Sequence, residues 1–196
     1  MNPCVLVINP GSTSTKVAVF TLDSRLFEKS LSHSSDELSS FKTVASQYGF
    51  RRDAIIRELR AADFDTAKLT AVVGRGGLLH PIPGGVYKVN GAMKKDLTAA
   101  AYGEHASNLG ALIADDIAKP LGIPAYIVDP VVVDELSDLA RVSGNKLFER
   151  ISIFHALNQK AVARRYASEQ GRDYEDLSLI VAHLGGGISV GPHRVG

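Results

Sequence analysis

The stretch VLVINPGSTSTKVAVF, residues 5–20, decides the fold of this chain of 196 residues. An alternating apolar run reaches a turn of glycine and small hydroxyl residues, and a second alternating run leads away from it, which is typical of a β-hairpin. The turn offers backbone amides freed by Gly11, several hydroxyl donors and the cation of Lys16. Such a turn can hold phosphate oxygens.

This turn differs from the phosphate-binding P-loop in two respects. The P-loop needs a glycine directly before its lysine and a helix after it. Here Thr15 precedes Lys16, and VAVF continues as a strand. A plain hairpin turn remains an alternative, because Gly, Ser, Thr and Asn are the usual turn residues.

A second glycine cluster strengthens the phosphate interpretation. HLGGGISVG, residues 183–191, follows the apolar run LSLIVAHL and leads into β-forming residues. A single triple glycine would more often mark a bulge or a tight bend. Two strand-glycine-strand hairpins in one chain indicate a nucleotide whose phosphates are held between two domains.

Composition favours a small-molecule partner. The apolar share of 45% and charged share of 22% are those of an ordinary globular protein. The net charge of +1, without a long basic run, lacks the footprint of a nucleic-acid or anionic-membrane binder. The single cysteine, Cys4, allows no internal disulfide and is expected to be a small buried hydrophobe. With no signal peptide or long apolar run in view, we expect a cytoplasmic protein.

The order of patterns predicts an α/β protein that opens with an antiparallel meander. Asp129 lies at the carboxyl end of a short buried strand, and Gly171 ends the last helix. The serine-rich segment SLSHSSDELSS is expected to be a loop with a helix cap, with His33 in solvent. The predicted strands are residues 5–9, 15–22, 25–31, 69–74, 123–130 and 177–184, and the predicted helices are residues 36–62, 94–119 and 154–171.

Six motifs in sequence order resemble the acetate and butyrate kinase family. They are VLVINPGSTSTKVAVF, VVGRGGLLHPIPGGVY, ASNLGALIAD, YIVDPVVVDE, ISIFHALNQKAVARRYA and VAHLGGGISVGPHR. The proline in INPGSTSTK is closer to the butyrate kinases. The resemblance implies the actin-like ATPase (ribonuclease H-like) fold, a mixed sheet flanked by helices. It also implies reversible transfer of the ATP γ-phosphoryl group to butyrate.

The resemblance also implies a domain division. Family members continue well beyond the last residue of this chain, so we expect the N-terminal part of a two-domain kinase. Residues 1–150 would form the first domain, and residues 151–196 would begin the second. The chain alone would then be an incomplete enzyme, and the full-length protein a homodimer.

The chemistry explains which residues such a reaction needs. A carboxylic acid is already ionised at neutral pH, so no general base is required. The obstacle is repulsion between the carboxylate and a polyanionic phosphate, which calls for cations and positioning. Arg75, just after a strand, can offer a bidentate fork to the acid and then to the phosphoryl oxygens. A solvated loop arginine is the alternative for Arg75.

The family resemblance implies roles for further residues. His155 would donate to the moving phosphoryl group, although a buried structural histidine fits the residues equally well. Asp129 would orient magnesium-bound water or Arg75, and His105 would bind the acid at the head of a helix. The implied catalytic residues are therefore Arg75, His155 and Asp129.

The resemblance further implies ATP or ADP and Mg²⁺ as cofactors. The metal would be held by Asn9 and Asp129 through water. Two alternatives stay open, a kinase for acetate, propionate or isobutyrate and a non-catalytic nucleotide-binding module of the same fold. The implied phosphate-binding residues are Asn9, Gly11, Ser12, Ser14 and Lys16 in the first loop, and His183, Gly185, Gly186 and Gly187 in the second.

Overall fold

The opening residues form the predicted antiparallel meander. In the computed structural model, which describes residues 3–185 and 187–194, it consists of β1 (Cys4–Pro10), β2 (Ser14–Phe20) and β3 (Arg25–Ser32). Alternate side chains of β1 and β2 are buried, so the period-two pattern of the sequence faces a core. Cys4 is among them, as predicted.

The meander is one side of a six-stranded mixed sheet in the order β3-β2-β1-β4-β6-β5. The strands β4 (Leu69–Arg75) and β6 (Ala125–Val128) run parallel to β1. The short edge strand β5 (Val86–Lys88) is antiparallel and was not predicted, because three residues give no readable alternation. Since β1, β4 and β6 are parallel neighbours, their carboxyl ends meet at one edge of the sheet.

Four helices accompany this sheet, and two of the predicted helices prove to be interrupted. A single helix over 36–62 is wrong, because the chain forms α1 (Ser35–Ser39) and α2 (Tyr48–Ala61) with a 3-10 turn between them. A single helix over 94–119 is also wrong. There α3 (Gly91–Ala99) ends at Ala100, whose φ of 49° is left-handed, and α4 (Asn108–Ala118) starts afresh.

The helix cap predicted in the serine-rich segment is confirmed, but the predicted loop is wrong, because residues 30–32 end β3 and residues 35–39 form α1. Ser34 precedes α1, and its hydroxyl accepts the N–H of Glu37 at 3.2 Å, while Glu37 Oε2 accepts the N–H of Ser34 at 2.8 Å. This reciprocal arrangement is a capping box.

The helix α4 lies in backbone contact with β4. A Cβ placed on Gly74 would come within 2.2 Å of the carbonyl oxygen of Gly110, and one on Gly110 within 2.2 Å of the Arg75 oxygen. No side chain fits at either position. The two glycines therefore set the depth at which α4 packs and fix the backbone of Arg75.

The chain divides into two compact units. The sheet and helices above belong to the first, made of the described residues up to His80 and Gly85–Pro130. The second unit takes Pro81–Gly84 and the described residues from Val131 onward. It contains α5 (Asp138–Arg141), α6 (Ala156–Glu169) and the antiparallel hairpin of β7 (Ser178–Leu184) and β8 (Ile188–Arg194).

The second unit matches the predicted helix and strand-glycine-strand hairpin. Gly171 follows α6 with a φ of 64°, as expected of a residue that ends a helix. The small core of the second unit joins α6 to β7. It consists of Ala163, Ala167, Tyr174, Leu177 and Val181. Among the described residues, no helix is both long and apolar enough to cross a bilayer.

Candidate functional site

Three of the predicted site residues meet at one edge of the first unit's sheet. Asn9 is the next-to-last residue of β1, Arg75 ends β4, and Asp129 directly follows β6. The guanidinium Nη1 of Arg75 donates to Asn9 Oδ1 at 3.4 Å, a long hydrogen bond. The structure thus brings together residues that are far apart in the chain.

Arg75 is a half-buried cation at this edge. Burial lowers the pKa of its guanidinium, which still stays charged at neutral pH. No carboxylate among the described residues forms an ion pair with it. A partly desolvated cation without a carboxylate partner is suited to receive an anion.

Glycines let the loop after Arg75 pass close to its neighbours. A Cβ on Gly76 would lie 2.5 Å from Pro130 Cβ, and one on Gly77 would lie 2.6 Å from Asn108 Cα. Asn108 also accepts the Leu78 N–H at 2.8 Å through Oδ1. The loop is therefore held against the residue after Asp129 and against the first residue of α4.

His105 lies just before α4, at the head of a helix as predicted, and the charge of Arg75 acts on it. Its Nδ1 accepts the N–H of Ser107 at 3.1 Å and lies 2.7 Å from the Ser107 hydroxyl. An Nδ1 that accepts a backbone N–H carries no proton, so the neutral ring is protonated at Nε2. Burial, and then the charge of Arg75, lower the pKa of His105. At neutral pH His105 is a neutral donor through Nε2.

Asp129 is held by two hydrogen bonds to Gly85. Its Oδ1 accepts the Gly85 N–H at 2.8 Å, and its own N–H donates to the Gly85 oxygen at 3.0 Å. Its φ of 36° is left-handed, a region that Asp tolerates better than most residues. The carboxylate is buried and its position is fixed by the loop before β5.

The first glycine turn presents its polar residues outward. The Gly11 N–H donates to the Ser14 oxygen at 2.7 Å and closes the turn. Asn9 and Lys16 are directly opposite each other in the β1–β2 ladder, so their exposed side chains share one face of the sheet. Ser12 is exposed and Ser14 is half-buried. The predicted residues of this loop therefore lie together.

Sequence reasoning missed Arg51, the largest fully buried side chain of the protein's described core. It projects from α2 beneath the first glycine turn and donates to three of its carbonyl oxygens. A signal was present, because Arg51 falls on the same helical face as Ile55 and Leu59. An arginine within an apolar stripe of a helix predicts a buried guanidinium that is hydrogen-bonded to other groups.

The expectation that His33 lies in solvent is wrong. It is 5% exposed, its Nε2 lies 2.9 Å from Thr15 Oγ1, and its ring meets Phe50 edge-on at 5.1 Å between centroids. The β2–β3 pairing carries the serine-rich segment back along β2, which places His33 beside buried Thr15. Polarity of the neighbouring serines gave no sign of this.

In the second unit, His155 and His183 stack face to face. Their ring centroids are 3.7 Å apart and the ring planes differ by 6°. Gly187 lies against His155, since a Cβ there would be 3.1 Å from its Cε1. Gly185 follows β7, whereas the prediction for Gly186 lies outside the described residues. The remaining predicted residues of the second loop are thus gathered around the two histidines.

Three side chains that were not predicted hold these rings. Asn158 Nδ2 lies 3.0 Å from His183 Nδ1, and Ser189 Oγ lies 3.0 Å from His155 Nδ1. Buried Gln159 donates to both the carbonyl and the hydroxyl oxygens of Ser189. The i to i+3 and i+4 spacing from His155 on a helix was the available signal.

Curated proteins similar in sequence to this chain are butyrate kinases or probable butyrate kinases. The chain is 59% identical over 192 residues to butyrate kinase 2 of Clostridium acetobutylicum, and 55% identical to butyrate kinase 1 of the same organism. Over 98% of its length, this chain is similar to butyrate kinases. A probable butyrate kinase of Listeria monocytogenes serotype 4b is 55% identical over the same share. The resemblance seen in the motifs is confirmed, while no family model matches.

The chain spans about half the length of these relatives, 54% in each case. Solved structures show the same proportion. Acetate kinase of Porphyromonas gingivalis superimposes with a TM-score of 0.67 at 17% identity, covering 98% of this chain and 55% of that one. Acetate kinase of Entamoeba histolytica gives 0.60 at 17% identity, covering 97% and 52%. The predicted actin-like ATPase fold is confirmed.

Proposed function

We propose that the full-length protein containing this chain is a short-chain fatty acid kinase. It transfers the γ-phosphoryl group of ATP reversibly to butyrate, giving butyryl phosphate and ADP. The observation that carries the proposal is Arg75, a half-buried cation with no carboxylate ion-pair partner among the described residues, beside Asn9 and the neutral His105. The identity of 53–59% to proteins named as butyrate or probable butyrate kinases supports the choice of acid.

The acid would bind through Arg75 and His105. Butyrate is ionised at neutral pH, and a guanidinium fork orients a carboxylate through two parallel hydrogen bonds. The Nε2–H of His105 can donate to the same anion. No residue needs to remove a proton, so these groups position the nucleophile and offset its charge.

Each of the two glycine loops would bind phosphate. In the reaction a butyrate oxygen forms a bond to the γ-phosphorus, and the bond from that phosphorus to the ADP oxygen breaks. Lys16 and the turn amides would bind phosphate oxygens, and His155 would donate to the moving group. Gly185, Gly187 and His183 would complete the second loop.

The residues present fit a magnesium ion held largely by water and phosphate. No cluster of three histidine, cysteine or acidic side chains suited to a metal occurs among the described residues. Mg²⁺ commonly keeps several waters and binds few protein carboxylates. Asp129 and the amide oxygen of Asn9 offer oxygen donors of the required kind, and the ion would neutralise phosphate charge.

The same proposal covers the organisation of the whole protein. We assign residues 1–150 to a first domain and residues 151–196 to the start of a second, and we place the enzyme in the cytoplasm as a homodimer. Light scattering of the full-length protein tests the dimer directly.

The function is tested by trapping acyl phosphate with hydroxylamine. Full-length protein is incubated with ATP, Mg²⁺ and either acetate, propionate, butyrate or isobutyrate. We expect butyrate to give the highest kcat/KM. Turnover with another acid only would reassign the substrate, and nucleotide binding without any acyl phosphate would identify a non-catalytic module.

The variant Arg75→Lys tests the observation that carries the proposal. Lysine keeps the charge but loses the planar fork, so we expect kcat to fall by at least about tenfold. The matched control is Arg57→Lys on the exposed side of α2, which should leave the rate unchanged. Wild-type turnover in Arg75→Lys would show that this guanidinium does not contact the reacting groups.

A further inference from the structure

The Arg51 side chain lies beneath the first glycine turn and forms hydrogen bonds to it. Its Nη1 donates to Gly11 O at 2.8 Å and to Ser14 O at 2.9 Å, and its Nη2 donates to Ser12 O at 3.0 Å. On its other side, Gln47 Oε1 accepts from Nε at 3.0 Å and from Nη2 at 2.8 Å. One rigid planar group therefore fixes three carbonyls of the turn and is itself oriented by Gln47.

These contacts determine which way the amides of the turn point. In a trans peptide the N–H of one residue is directed opposite to the C=O of the residue before it. Since the carbonyls of Gly11 and Ser12 are turned inward to Arg51, the N–H groups of Ser12 and Thr13 face the other way. Two successive outward N–H groups at an exposed turn are a common anion-binding arrangement.

Arg51 also brings positive charge beneath the turn. It is 0% exposed, and no carboxylate of the described residues forms an ion pair with it. Its hydrogen bonds to neutral oxygens offset part of the cost of burial but leave the charge in place. A buried charge is screened less than an exposed one, so it acts on an anion bound above the turn.

Hydrogen bonds connect Arg51 through Thr15 to His33, the residue that follows β3. Thr15 Oγ1 accepts from Arg51 Nη1 at 3.0 Å and lies 2.9 Å from His33 Nε2. The Thr15 hydroxyl can thus donate to the histidine while it accepts from the arginine. The turn is held from below and from its side by groups that do not touch its outer face.

We propose that Arg51 is a positioning residue for phosphate binding, acting through the Gly11–Ser14 turn and touching no substrate itself. The proposal rests on the proposed function only in that the phosphate belongs to the nucleotide. Arg51 keeps the amides of Ser12 and Thr13 directed at the phosphate and adds charge beneath them. Loss of the guanidinium fork should weaken nucleotide binding and leave butyrate binding unchanged.

The test compares Arg51→Lys with wild type in the full-length protein. ADP affinity is measured by calorimetry, and the KM values for ATP and butyrate are measured separately. Lysine keeps a charge but cannot hold three carbonyls in one plane, so we expect ADP to bind at least about tenfold more weakly. The KM for butyrate should change little. A merely structural role would move both KM values together.

Arg52→Lys is the matched control, since Arg52 is the next residue of α2 and pairs with Asp53 and Asp116. It should bind ADP like wild type. Gln47→Leu is a second variant that removes only the acceptor behind the guanidinium, and it should weaken ADP binding in the same direction but less. Thermal unfolding confirms that each variant is folded.

The outcomes separate the two proposals. Unchanged ADP affinity in Arg51→Lys, or equal loss of ADP and butyrate affinity, overturns the role of Arg51. Absence of ADP binding by wild type overturns it as well, because the turn would then hold no nucleotide phosphate. Wild type that binds ADP but makes no acyl phosphate overturns the proposed function alone, and the ADP comparison still decides the role of Arg51.

Discussion

At the scale of single residues, the first glycine turn depends on side chains that never reach its surface. Thr15 and His33 are both buried, and they connect to Arg51 through the Thr15 hydroxyl. Burial, and then the nearby charge of Arg51, lower the pKa of His33, while the charge of Glu37 acts in the opposite direction. The neutral imidazole is therefore part of the folded arrangement.

This predicts that His33 makes the protein less stable in acid. A histidine whose pKa is lowered on folding binds fewer protons folded than unfolded, so its contribution is complete above the unfolded value of 6.5. That contribution is lost as pH falls from 6.5 through the lowered folded pKa. In His33→Gln the midpoint of thermal unfolding should fall less between about pH 8 and 5 than in wild type.

The control for this experiment is His80→Gln, at an exposed histidine. It should follow the wild-type curve. His105 and His193, whose pKa values burial also lowers, keep some acid sensitivity in every variant. A His33→Gln profile that overlays wild type would show that His33 does not titrate differently in the folded state.

At the scale of elements, the contact between α4 and β4 positions Arg75 and His105 together. Gly74 and Gly110 allow the helix to touch the strand backbone, and Arg75 is the last residue of that strand. His105 lies in the segment that leads into the same helix. The distance between the two predicted acid-binding residues is therefore set by a contact that contains no side chain.

We predict that Gly110→Ala strongly destabilises the protein. Its Cβ would overlap the Arg75 oxygen, a backbone atom that cannot move without displacing β4. Overpacking usually costs about 1–3 kcal/mol, and this contact should cost about 3 kcal/mol or more of the free energy of unfolding. Urea titration measures the loss.

Gly49→Ala is the matched control, because a Cβ on Gly49 of α2 would meet nothing within 4 Å. That substitution should raise the free energy of unfolding by about 0.4–1 kcal/mol, since alanine restricts the unfolded chain. Equal effects at the two glycines would refute the tight contact of α4 with β4.

At the scale of the whole molecule, the strand order of the sheet brings the predicted site residues of the first unit together. The order β3-β2-β1-β4-β6-β5 makes β1, β4 and β6 parallel neighbours, so Asn9, Arg75 and Asp129 meet although long segments separate them in sequence. The meeting point holds one cation, one amide and one carboxylate, and under the proposed function Arg75 would bind the acid. The proposed reaction requires no base.

The pH dependence of the full-length enzyme should reflect this arrangement. Between about pH 6.5 and 8.5 no carboxylate should need to titrate, so Asp129→Asn should lower kcat without changing the shape of its pH profile. An acid limb below neutrality should disappear in His105→Gln. Protonation would place an N–H at Nδ1, where His105 now accepts the N–H of Ser107. Loss of an acid limb in Asp129→Asn alone would restore Asp129 as a base.

The local sequence determined the longer strands, the last helix and the two glycine hairpins. The alternation of residues 5–20, the glycine at 171 and the run LSLIVAHL each predicted correct structure, because strand periodicity and turn residues act over a few neighbours. The motifs also identified the residues at the strand ends. The roles assigned to these residues stay predictions, while their proximity in the first unit is observed.

Only the tertiary structure decided where the predicted helices are interrupted and which polar side chains are buried. Ala100 adopts a left-handed conformation within a sequence that favours helix, and β5 forms because β6 offers it an edge. Arg51 and His33 are buried because α2 and β3 converge on the glycine turn, whose inward carbonyls need donors. A polar side chain in a local pattern reads as exposed, and it is buried only when distant backbone groups supply its partners.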